Sequence, residues 1–129
     1  MSYYFNKTLK NTTFEKAVET VKSELKNEGF GVITEIDVKT TLKQKLDVDF
    51  KKYIILGACN PELAYKALQQ EDMIGVFLPC NIVVVEQENG EIEVAAVDPI
   101  ASMQAVENSN LGSLAGDIRE KMMRVTGNI

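Results

Sequence analysis

Two cysteine–asparagine pairs carry the chemistry this chain can offer. One lies in Leu56-Gly57-Ala58-Cys59-Asn60-Pro61, the other in Leu78-Pro79-Cys80-Asn81. These are its two cysteines, and it has no histidine. A thiolate is a nucleophile and a soft-metal ligand, so the thiols lead the candidates for unusual chemistry. The missing imidazole removes serine–histidine–aspartate and cysteine–histidine hydrolysis. Mixed cysteine–histidine zinc sites go with it, and two thiols fall short of the four ligands of a closed zinc site. No metal is expected. Acid–base work would fall to Asp, Glu, Lys, Tyr or Cys. No catalytic residue can be assigned, and the cofactor, if any, is unknown.

Each candidate has a plain structural reading beside the chemical one. Cys59 precedes an expected helix start, where amides and the helix dipole favour a thiolate. It also ends an apolar run, and a buried cysteine is a modest hydrophobe; this second reading is preferred. Asn60 and Asn81 suit a helix cap and a loop-to-strand hydrogen bond, or could fix a ligand. Glu35 and Asp37 lie two apart on a strand, able to bind a hard cation or shuttle protons. Ion pairing with Lys43 or Lys45 is the preferred account of them. The candidate ligand-binding set is thus Glu35, Asp37, Lys43, Cys59, Asn60, Cys80 and Asn81. Gly29-Phe30-Gly31 lacks the third glycine of a dinucleotide motif and follows a helix, so it reads as a helix stop.

Something must position these residues. At 129 residues, 45% apolar and 26% charged, residues 1–129 make one domain with a single core. No run approaches the roughly eighteen apolar residues of a membrane span, and the N-terminus lacks a signal-peptide core. A cytoplasmic protein with free thiols is expected. The net charge of −5 speaks against nucleic-acid binding. Five lysines against two aspartates between Lys39 and Lys52 make a local net +3, read mainly as a solvated face.

Residues 2–9 read as a first strand. Thr12 and Glu15 have capping-box spacing, and Phe14, Ala17, Val18, Val21 and Leu25 form a helical stripe ended by Gly29. Val32–Val38 reads as a strand with Val32, Thr34, Ile36 and Val38 on one face and Ile33, Glu35 and Asp37 on the other. Residues 39–50 are either a short helix or an ordered loop. Lys52–Cys59 suits a central strand covered on both sides. Asn60 and Pro61 open a helix with Leu63, Ala64, Ala67 and Leu68 buried. The apolar run 73–78 is unassigned, as core or subunit interface. Asn81–Gln87 and Glu91–Val97 form a hairpin across Asn89-Gly90. Pro99 opens a short helical segment, and a last helix spans roughly 109–125. The resulting fold class is α+β, a two-layer sandwich of helices on a mostly antiparallel sheet. If strands 52–59 and 81–87 run parallel, the cysteines sit at opposite ends of the sheet, so no intrachain disulfide is expected.

Gly29-Phe30-Gly31-Val32-Ile33-Thr34-Glu35-Ile36-Asp37-Val38, Thr41-Leu42-Lys43, Leu56-Gly57-Ala58-Cys59-Asn60-Pro61 with Ala64, and Leu78-Pro79-Cys80-Asn81 together resemble the domain-of-unknown-function family 302. The resemblance covers nearly the whole chain. It implies a compact α/β domain of architecture like the TATA-binding protein, and no DNA binding, since fold does not fix function. Position 65 is Tyr where many relatives are expected to carry His.

Three functions are carried forward. A small-molecule or ion-binding domain acting as a homodimer ranks first. A purely structural or protein-interaction module comes second. A thiol-based redox protein using Cys59 comes third.

Overall fold

In the computed structural model, which describes residues 2–129, one five-stranded sheet packs against helices. The strands are β1 (Tyr4–Leu9), β2 (Gly31–Asp37), β3 (Tyr53–Cys59), β4 (Cys80–Glu86) and β5 (Ile92–Val97). Their order is β1-β5-β4-β3-β2, and every neighbouring pair is antiparallel. The helices are α1 (Phe14–Asn27), α2 (Val38–Leu46), α3 (Pro61–Gln70), α4 (Pro99–Ser102) and α5 (Gly112–Asn128). This is the α+β sandwich expected from the sequence. Among the described residues, no helix is long and apolar enough to cross a membrane.

Local chemistry explains most element ends. Thr13, one residue beyond the expected cap, accepts the Lys16 amide and starts α1. Gly29 (φ +84°) ends it in a Schellman arrangement, with Phe30 N–H donating to Leu25 and Gly29 N–H to Lys26. The hairpin between β4 and β5 differs from a two-residue turn. The Gly90 amide donates to Gln87, and Gly90 (φ +85°) is the turn's residue with positive φ. That is a three-residue loop with a glycine bulge, since a two-residue type I′ turn needs positive φ at both positions.

Strand β2 departs from simple alternation. A bulge between Val32 and Thr34 shifts its register, so Glu35 faces Leu56 and Asp37 faces Ile54, while Thr34 and Ile36 sit opposite Gly57 and Ile55. Val32 therefore shares the helix-covered face with Glu35 and Asp37, contrary to the strict period-2 expectation. The extra residue of a bulge reverses the parity of all that follows. Asp37 ends the strand and caps α2 by accepting the Thr40 amide, which settles residues 38–46 as helix.

The main core fills the space between the sheet and α1 and α5. Leu56, Ile82, Val84, Ile92 and Val94 meet Val21, Leu25, Met122 and Val125 there, all nearly inaccessible. A satellite cluster of Ala67, Ile74, Met103, Leu111 and Ala115 lies beside it. The opposite face of the sheet lies away from α1 and α5 and is mostly part-exposed, with Val85 buried on it. Tyr53, Ile55, Val83, Val85, Ala95 and Val97 share that face by register. Strand β3 is thus covered by the main core on one side only. Leu68, expected in the core, is 43% exposed.

The largest departure concerns the cysteines. β3 and β4 are antiparallel, with Ala58 opposite Cys80. Both cysteines therefore lie at the same end of the sheet. The reason is the connection. Helix α3 spans about 15 Å at 1.5 Å per residue, and the 3-10 turn at Asp72–Phe77 spans about 12 Å at 2.0 Å per residue. The second can undo the first and return the chain to the end it left. In the run 73–78, Ile74 is buried whereas Met73 and Val76 are exposed.

A candidate small-molecule cavity at the cysteine end of the sheet

Asn60 organises this end of the molecule. Its Oδ1 accepts the Leu63 amide and caps α3, with Pro61 in the first turn, where a missing N–H costs nothing. Its Nδ2 donates to the Glu28 carbonyl at the end of α1. One side chain thus ties the start of α3 to the stop of α1.

Between the main core and the satellite cluster lies a partly open cavity of about 190 Å³. Phe30, Ala58, Cys80 and Ile118 form its inner wall, and Met103, Leu111 and Ala115 the outer. Cys59 and Asn60 also border it. No charged side chain lines it. The outer wall is pinned by Asn108, whose Nδ2 donates to the Gln70 carbonyl at 2.8 Å and to the Glu71 carboxylate at 3.1 Å.

Three of the seven expected residues meet here: Cys59, Asn60 and Cys80. The others lie elsewhere. Asn81 is exposed opposite Gly57, on the bare face of the sheet. Glu35 pairs with Lys22 of α1 at 2.8 Å, a partner sequence spacing did not reveal. Asp37 serves as the α2 cap. Lys43 binds Asp47 at 2.9 Å and Asp49 at 3.5 Å, so the expected pairing with Glu35 or Asp37 gives way to local partners. Lys39 donates to the Phe50 carbonyl and Lys52 to Glu15, so the basic window is largely bound up with its neighbours. Among the described residues, no three His, Cys, Asp or Glu side chains gather as a metal site would require. Ala64, Met103, Leu111 and Ala115 complete the cavity and were absent from the expected set. Apolar residues of this kind read as ordinary helix packing in the sequence.

The two thiols are not equivalent. Cys59 is partly exposed and Cys80 buried. Burial foremost, with the nearby Cys59 second, pushes the Cys80 thiol up from 9.0 to about 11. It is therefore protonated and inert at neutral pH. Iodoacetamide at pH 7.5 is expected to alkylate Cys59 in the native protein and Cys80 only after denaturation. Peptide mapping that finds both labelled equally fast would contradict this. The stability consequence has a definite sign. The native state holds the Cys80 proton more tightly than the unfolded chain, so this contribution is complete below pH 9 and is lost as pH rises towards 11. The loss is roughly 2–3 kcal/mol. It should appear as a steeper fall in stability above pH 9 for the wild type than for Cys80→Ala.

With the fold and cavity in view, comparison decides the lineage. The family model for the domain of unknown function DUF302 matches residues 5–129. The chain belongs to the DUF302 family. It is also similar to a crystal structure of an uncharacterized conserved DUF302 protein from Bacillus stearothermophilus. That similarity has a TM-score of 0.89 and 29% identity, over 98% of each chain. No curated protein matches it. The DUF302 fold therefore accounts for the sheet and helices.

Proposed function

We propose that this DUF302 protein is a small-molecule-binding domain that acts as a homodimer, with the cavity at the cysteine end as its site. The observation that carries this reading is convergence. Cys59, Asn60 and Cys80 come from the end of β3, the cap of α3 and the start of β4, yet they border one apolar recess. Binding sites on rigid scaffolds are concave, mostly apolar and supplied with few polar groups. An ion is the weaker reading, because no set of ligating side chains accompanies the cavity.

The bare sheet face supports the dimer. Five strands about 4.8 Å apart and about 20 Å long present roughly 500 Å² in projection. The pleated accessible area is larger, on the order of the ~800 Å² per partner of a standard interface. Tyr3 and Tyr4 add aromatic surface to a hollow on this face. We place the protein in the cytoplasm, as free thiols suit a reducing compartment, and assign it no nucleic-acid partner on account of its net charge of −5.

Redox chemistry at Cys59 ranks below binding, since the neighbouring thiol is held protonated. A purely structural role would leave the cavity unused. A native mass spectrum of the untagged protein, purified without chelator or reductant, separates these readings. The binding reading expects twice the chain mass plus a small added mass released on activation. A monomer of bare mass with two intact thiols would favour the structural role.

A further inference from the structure

We infer that the cavity takes an uncharged, mainly apolar molecule about the size of one substituted ring, and discriminates against ions of the same size. This deepens the binding reading above and rests on it.

Size comes first. A dry apolar cavity of about 150 Å³ accommodates benzene. The cavity here is about 190 Å³ and partly open, which leaves room for a ring with a short substituent. Shape follows from its walls. Phe30, Ala58 and Ile118 belong to the main core, while Met103, Leu111 and Ala115 belong to the satellite cluster.

Charge is excluded by what the cavity lacks. An ion entering it would lose its hydration with no opposite charge in the wall to replace it. The Cys80 thiol is neutral at physiological pH and offers a cation nothing. The start of α3 offers an anion little, because the one first-turn amide without a partner belongs to Glu62, which does not line the cavity. Pro61 has no N–H, the Leu63 amide is bound by Asn60 Oδ1, and the Ala64 amide by the Asn60 carbonyl. The Asn60 amide already bonds the Glu28 carbonyl, leaving one hydrogen uncommitted. With the half-exposed Cys59 thiol, this makes one weakly polar corner. A single hydroxyl or carbonyl on the ligand would suit it.

The test is a ¹H–¹⁵N correlation titration of the full chain with toluene, benzyl alcohol and benzoate at pH 7.5. Benzyl alcohol and benzoate share a ring and differ in charge. Toluene and benzyl alcohol are expected to shift the amides of Ala58, Cys80 and Ala115 and to saturate at on the order of 1 mM. Benzoate should bind at least about tenfold more weakly, the discrimination a missing counter-charge imposes. Benzoate binding as tightly as benzyl alcohol at these amides would overturn the inference while leaving the cavity a binding site. Failure of all three probes to shift them would overturn the binding reading itself. Ala115→Phe should abolish the toluene shifts, and Ala64→Leu serves if that variant does not fold. Unchanged toluene shifts in a folded cavity-filled variant would place the binding elsewhere and sink the proposal.

Discussion

Gly57→Ala should be the most damaging single-methyl change in this protein. Gly57 lies in β3, opposite Asn81 of β4 and Thr34 of β2. Its conformation is ordinary, and the constraint is space. A Cβ built there would run into Thr34 Oγ1 and come within 2.8 Å of Pro79 Cγ. The Thr34 side chain can rotate, but the Pro79 ring cannot. Relief therefore requires β3 and β4 to separate beside the two cysteines. Overpacking of this kind costs about 1–3 kcal/mol, and a rigid neighbour puts the estimate at the upper end. For a domain of this length that corresponds to a fall in Tm of roughly 10 °C. Thermal unfolding followed by circular dichroism would measure it. Adding Thr34→Gly to Gly57→Ala should recover part of the loss, by removing one of the two clashes. If Gly57→Ala alone leaves Tm unchanged, the packing described for this end of the sheet is wrong.

Asp98→Ala should have a comparable effect for a different reason. Asp98 is one of two buried polar residues among those described. Its Oδ1 accepts the Ile100 amide and caps α4, and its Oδ2 accepts Arg119 Nε at 3.3 Å. Arg119 in turn lies over the Phe5 ring at 5.2 Å. One carboxylate thus joins the end of β5, the start of α4 and the middle of α5. Loss of a cap costs about 1 kcal/mol. A charge-assisted hydrogen bond contributes about 1.5–3 kcal/mol, with the lower end fitting an arginine that is partly exposed. A total of about 2.5 kcal/mol follows. Asp98→Asn keeps an acceptor for the cap and loses the charge, so it should cost roughly half as much. Urea denaturation of the two variants would resolve the shares. Equal losses would mean that the cap, and not the ion pair, contributes nothing. Because α4 leads into Met103 on the cavity wall, Asp98→Ala should also weaken ligand binding.

The sequence disclosed some of this and hid the rest for physical reasons. Caps and stops were legible because their chemistry is local. Gly29 ends α1 and Asn60-Pro61 begins α3, as their residue types require. The helical stripes that bury Val21, Leu25, Ile118 and Met122 were legible from period alone. The bulge in β2 was not, because one extra residue leaves the apolar pattern intact while reversing which side each residue faces. The relative direction of β3 and β4 was hidden too. A helix between two strands suggests a parallel crossover, but the apolar segment 72–77 turns out to be a return path. That one fact brings Cys80 to Cys59 and places both on the cavity. For Glu35, Asp37 and Lys43 the structural account is already the preferred one from the sequence, with Lys43 or Lys45 as the expected partner of the acids. Each does have a structural partner, but a different one, because the bulge and the α2 cap set their neighbours.

The direct test of the central claim is diffraction from crystals of this protein soaked with benzyl alcohol. The account predicts density for the ring between Ala58, Cys80, Ala115 and Ile118, with its hydroxyl towards Asn60 and Cys59. A well-soaked crystal whose cavity stays empty, with ligand only on the bare face of the sheet, would contradict it.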